Sequence, residues 1–71
     1  MKLLSFTVFE MNDPMNLQVG INPEKVLYTF ASHERVEPDG TKIPSTCIYF
    51  AHNDSIDVVG DQNTVNAALQ L

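Results

Sequence analysis

The stretch "VLYTFASHERVEPDGTKIPSTCIYFA", residues 26–51, decides the fold class. At its centre stands "EPDGT", residues 37–41. Pro38 presets φ for the first corner of a turn, and Asp39-Gly40 tolerates the positive φ that a tight hairpin demands. The flanks are rich in aromatic and β-branched residues, which suit a pleated surface. Two long antiparallel strands, over 26–36 and 41–51, are therefore expected about this turn. Pro44 has no N–H to give to a ladder, so its end of the second strand is expected at an edge or a bulge.

Working outward, residues 2–11 alternate as a strand does. Leu4, Phe6 and Val8 fall on one face, and Leu3, Ser5, Thr7 and Phe9 on the other. Asn12, Asp13 and Pro14 are three turn formers in a row. Residues 15–21 alternate again, with Met15, Leu17, Val19 and Ile21 on one side. Asn22-Pro23 ends that strand, and residues 23–25 are expected to make one tight helical turn. Downstream, "HND" at 52–54 marks a turn and "SIDVV" at 55–59 a short strand with Ile56 and Val58 inward. Asp61 is placed to cap a C-terminal helix that buries Val65, Ala68 and Leu69. Such a helix is too short to be stable alone and must dock. The pattern predicts one mostly β domain over residues 1–71. It is a small, strongly bent, five-stranded antiparallel sheet, or a partly open barrel of the SH3 or Sm kind, with a short C-terminal helix. Closure would remove exposed strand edges.

A chain of 71 residues buries only about 60% of its unfolded surface. Its core is worth roughly 3–5 kcal/mol. The single cysteine, Cys47, excludes an internal disulfide, and no Cys/His spacing suggests a structural metal. Homo-oligomerisation is the remaining source of stability and is expected. The nine Asp+Glu against four Lys+Arg, a net charge of −5, disfavour extended phosphate contact. The apolar run of "MKLLSFTVFEM" is broken by Ser5, Thr7 and Glu10 and lacks a small-residue cleavage site, so it does not read as a signal peptide. No stretch approaches the roughly 18 apolar residues of a membrane span. A cytoplasmic protein without a membrane partner is expected.

Candidates for chemistry are few. His33 and His52 are the histidines, and Cys47 is the thiol. Pairing about Asp39-Gly40 puts Cys47 opposite Ala31 or Ser32, with His33 near it. A nucleophilic pair also needs an orienting third group, and none is visible. Between Thr46 and Ile48, a cysteine reads as a small buried hydrophobe. Cys47, His52 and Asp54 match no zinc spacing, and Asp39, Asp54, Asp57 and Asp61 lack the spacing of a calcium loop. No catalytic residue, metal or cofactor is expected, and the chain reads as a non-catalytic binding protein. Among Phe6, Phe9, Tyr28, Phe30, Tyr49 and Phe50 most are expected in the core. Tyr28 and Phe30 share a face, and Tyr49 and Phe50 point opposite ways. One or two of them should reach an interface, where aromatics are enriched, or serve as platforms for bases.

"NDPMNLQV", residues 12–19, resembles the first signature of the Sm-like RNA-binding proteins. Asn12, Met15, Asn16 and Val19 stand at its positions, with Asp13 supplying an acid one place late. Val58, Val59, Gly60 and Asp61, within "DVVGDQNTV", are similar to the second signature of apolar-Arg-Gly-Asp/Asn. The chain resembles small Sm-like proteins of phage or marine-microbial origin. The resemblance implies a ring of five to seven subunits that binds RNA or single-stranded DNA. Loops at 12–16 and 60–63 would line its pore. Asn12, Asp13, Met15, Asn16, Gly60, Asp61 and Asn63 are the nucleic-acid-binding residues it implies, with Asn16 meeting a base edge. Pro14 holds the family's stacking position, Val59 its arginine position and Phe6 its first-strand glycine position. A C-terminal helix stands in place of the family's N-terminal one.

"INPEKVLY", residues 21–28, followed by a Gly-containing hairpin, a short strand and a final apolar helix, resembles the FlbD-type small proteins associated with flagellar genes. Ile21, Asn22, Val26, Val65 and Leu69 match that layout. This second resemblance implies a protein-interaction or regulatory module without nucleic-acid binding. From the acidic charge balance, such a module is expected to meet a basic partner.

Overall fold

Ile48 and Val58, both 0% exposed, lie at the middle of the molecule because alternation along two neighbouring strands turns both toward the same side. A computed structural model of the chain describes residues 2–12 and 14–70. Its strands are β1 (Leu4–Thr7), β2 (Gln18–Ile21), β3 (Tyr28–Val36), β4 (Lys42–Ala51) and β5 (Asp54–Val59), and its helix is α1 (Gln62–Leu69). A 3-10 turn, Pro23–Lys25, separates β2 from β3. Asn22 caps it, its Oδ1 accepting from the Glu24 N–H at 3.0 Å.

All pairing is antiparallel. β1 pairs with β2, and β3, β4 and β5 form a second sheet in that order. The Val8↔Val58 bridge and a 2.9 Å bond from the Phe9 N–H to the Asp57 carbonyl join the β1 side to β5. The expectation of a mostly β domain with a short C-terminal helix holds. The expected partial barrel needs correction, because the two sheets do not close. Among the described residues no ladder joins β2 to β3. The four-residue β2 ends at Ile21, and the Pro23–Lys25 turn carries the chain away before β3 begins.

The 37–41 hairpin forms as its residues dictate. Gly40 takes φ 88°, the Glu37 N–H donates to the Thr41 carbonyl at 2.8 Å, and Asp39 Oδ1 accepts from the Thr41 N–H at 2.9 Å. The bulge expected near Pro44 lies across from it. Ser32 and His33 together oppose Ser45, and the Ser45 hydroxyl closes the gap by donating to the His33 carbonyl at 2.6 Å. The extra residue shifts the register, so Cys47 pairs with Phe30 and not with Ala31 or Ser32.

β2 is shorter than its alternation predicts. Asn16 adopts φ 56°, a left-handed conformation that asparagine tolerates, and extended structure resumes only at Gln18. Met15 and Leu17 are consequently exposed and do not point inward.

The core joins Ile21, Ile48, Val58, Val65 and Leu69, with Phe6, Val19 and Phe50 packed against it. Helix α1 begins where expected: Asp61 is its N-cap, and Asp61 Oδ1 accepts from the Thr64 N–H at 2.7 Å. Val65 and Leu69, one turn apart, form its buried stripe, while Ala68 is exposed, contrary to expectation. The helix also covers part of the open edge of β3. Gln62 Nε2 donates to the Thr29 carbonyl at 3.1 Å, and the Thr29 hydroxyl donates to Asn66 Oδ1 at 2.7 Å. Among the described residues no helix is long and apolar enough to cross a membrane.

Candidate functional site

The alternation that buries Thr46, Ile48 and Val58 turns their neighbours outward. The outer face of the β3–β4–β5 sheet is therefore built in cross-strand rows. Tyr28, Tyr49 and Ser55 form one row, and Phe30, Cys47 and Asp57 the next. The Tyr28 and Tyr49 rings stack with centroids 4.8 Å apart and planes inclined by 30°. Phe30 meets both edgewise, at 5.3 Å from Tyr28 and 5.9 Å from Tyr49. It is 57% exposed, so its outer surface has no covering among the described residues.

Polar groups frame the rings. The Tyr28 hydroxyl is 3.0 Å from His52 Nδ1. The Ser32 hydroxyl donates to Asp57 Oδ2 at 3.3 Å, reaching across β4 to do so. A hydrogen bond with Cys47, and next the charge Cys47 can carry, push the Tyr49 phenol above its ordinary value of 10.0. Tyr49 is therefore a neutral hydroxyl at physiological pH. At the far end of the sheet, Arg35 lies 5.5 Å over the Phe9 ring, donates to the Glu10 carbonyl and pairs with Glu37 at 3.3 Å. This is the one ion pair among the described residues, and it ties that guanidinium to Glu37 and the Glu10 carbonyl.

The residues implied by the Sm-like resemblance fall in two places. Asn12, Met15 and Asn16 belong to the β1–β2 connection and are exposed, Met15 at 71%. Asp13 lies outside the described residues. The Met15 N–H donates to Glu10 Oε2 at 3.0 Å, which folds this connection back on itself. Gly60 and Asp61 carry the chain from β5 into α1. The Gly60 N–H donates to the Pro44 carbonyl at 3.0 Å, and its carbonyl accepts from the buried Thr46 hydroxyl at 2.9 Å. Hydrogen bonding by the Thr64 N–H holds the Asp61 carboxyl below its usual range. Asn63 is exposed on the first turn of α1. Among the described residues no hydrogen bond links the 12–16 connection to residues 60–63.

Cys47 has Phe30 and Asp57 as cross-strand neighbours, while His33 lies in the bulge. Among the described residues no three of His, Cys, Asp or Glu are grouped to hold a metal ion, and no pocket is enclosed. Sequence reasoning placed most of the aromatic residues in the core, whereas Tyr28, Phe30 and Tyr49 lie outside it, and it missed Ser32, His52 and Asp57 as their companions. Asp57 was within reach, since it alternates with the inward Ile56 and Val58. Ser32 was hidden by the bulge. No family model, curated protein or solved structure matches the chain.

Proposed function

We propose that the chain is a non-catalytic protein-interaction module that binds its partner on the outer face of β3, β4 and β5. The observation that carries this reading is the outward-facing cluster of Tyr28, Phe30 and Tyr49, in which the two tyrosines are half-buried against each other and Phe30 is exposed. The opposite face of the same sheet is spent on the core, so burial within the chain does not account for these rings. Aromatic side chains offer large contact areas with few rotatable bonds and dominate the centres of protein interfaces. Mutual packing holds them in place before a partner arrives, which lowers the ordering cost of binding.

A second reading is an Sm-like homo-oligomeric ring that binds RNA or single-stranded DNA. The outward-facing aromatic cluster with the exposed Phe30 favours it, since such rings also stack on bases. The net charge of −5 and the engagement of Arg35 weigh against contact with phosphates. The experiment is a comparison of variants in two assays: capture of partner proteins from extract of the source cell, and binding of oligo-U. The module reading expects capture to be lost in Phe30→Ser and kept in Asn16→Ala. Salt-sensitive oligo-U binding that disappears in Asn16→Ala overturns it in favour of the ring.

A further inference from the structure

We propose that the outer face recognises an arginine side chain on a basic segment of the partner, with the Asp57 carboxylate as its ion pair and the Phe30 and Tyr49 rings as its stacking surfaces. This rests on reading the face as a protein-binding surface. Phe30, Cys47 and Asp57 occupy one cross-strand row. Neighbouring strands are about 4.8 Å apart, so the two ends of the row are separated by roughly 10 Å of backbone. Cys47, the smallest apolar side chain of the row, stands between them, and Tyr49 is the next outward residue along β4. A carboxylate and exposed rings thus border the same patch of sheet.

Asp57 is half-buried, and its side chain makes one hydrogen bond among the described residues, Oδ2 accepting from the Ser32 hydroxyl. No cation among those residues pairs with it. A partner that brings a cation supplies the opposite charge that this carboxylate lacks among the described residues. A guanidinium suits the patch better than an ammonium. It donates two parallel N–H bonds to a carboxylate, and its flat, weakly hydrated face stacks on aromatic rings. Ser32 holds one Asp57 oxygen in position and leaves the other unoccupied. The acidic balance of the whole chain adds long-range attraction for basic segments and repels phosphates.

The test uses the intact ¹⁵N-labelled protein and three blocked peptides of one Gly/Ser sequence, carrying three arginines, three lysines or three citrullines. Citrulline keeps the shape of arginine without its charge. The arginine peptide is expected to shift the amides of Phe30, Cys47, Tyr49 and Asp57 saturably, the lysine peptide to bind more weakly, and the citrulline peptide not at all. Asp57→Asn should weaken arginine binding by about tenfold or more. Asp57→Ser serves as the second variant should the first disturb the spectrum elsewhere. Equal binding of the arginine and lysine peptides, or unchanged binding by Asp57→Asn, overturns the proposal. So does oligo-U shifting these amides when the arginine peptide does not. Capture of partner protein separates the two levels. Loss in Phe30→Ser with retention in Asp57→Asn rejects the arginine and keeps the face, whereas retention in both rejects the face itself.

Discussion

Tyr28 and Tyr49 face one another across β3 and β4, with ring centroids 4.8 Å apart, on the side of the sheet turned away from the core. Such a pair adds about 0.5–1.5 kcal/mol beyond its area burial. Tyr28→Ser is therefore expected to lower stability only modestly while abolishing partner capture. Chemical denaturation beside the capture assay checks both halves, and a variant that unfolds outright would move Tyr28 into the core's account.

Ile48 is fully buried where β4 meets β5 and the helix. Truncation to alanine in a packed core costs about 2–5 kcal/mol. A domain of this size has only about 4–10 kcal/mol in total. Ile48→Ala should thus leave the chain largely unfolded or with a sharply lower urea midpoint, whereas Phe30→Ser should not.

Gly60 is predicted to be a structural residue of the β5–α1 junction. Its φ is 127°, and a Cβ there would stand 3.2 Å from Val65 Cγ2. Gly60→Ala should cost about 1–3 kcal/mol through backbone strain and crowding of the Val65 side chain. Unfolding in urea measures this. An unaltered midpoint combined with altered oligo-U binding would instead assign Gly60 to a ligand.

The Asp61 cap makes stability depend on acid. The Thr64 N–H lowers the pKa of Asp61 in the folded state below its ordinary 3.8. A depressed folded value contributes stability that is complete above that ordinary value and is lost as pH falls through the lower, folded one. Asp39, held down by the Thr41 N–H, adds a contribution of the same sign. Melting temperature should therefore drop below about pH 4. Asp61→Asn keeps a capping oxygen but loses its proton linkage, so its curve should be flatter than the wild type's, with the Asp39 part remaining.

Molar mass in solution, from light scattering behind a sizing column, separates the two readings of the face. The interaction module is expected to run as a monomer or dimer. A sharp pentamer, hexamer or heptamer would bring the Asn16 connections of several subunits together and revive the ring.

Much of this architecture was legible locally. Asp39-Gly40 needs positive φ, Asn22-Pro23 favours a tight turn, and Asp61 accepts from a backbone N–H three residues on. These are short-range steric and hydrogen-bonding preferences, so neighbours in sequence suffice to state them. The separation of Tyr49 from Phe50 onto opposite faces likewise follows from strand geometry alone.

Other features depended on distant partners. Alternation put Met15 and Leu17 on one face of a strand with Val19 and Ile21, but Asn16 turned left-handed and the connection bonded to Glu10, leaving Met15 and Leu17 exposed. Counting back from the hairpin put Cys47 opposite Ala31 or Ser32, but the bulge moved it to Phe30. Closure of the two sheets into a barrel was likewise open, because an edge pairs or stays unpaired according to the path of the whole chain. By itself the sequence determined the turns, the strand faces and the helix cap, since each rests on a preference of one residue or its near neighbours. Only the tertiary structure decided that Ser32, Asp57 and His52 would join three aromatic rings on one exposed face. That outcome depends on register across three strands, and a single bulge residue shifts register for everything beyond it.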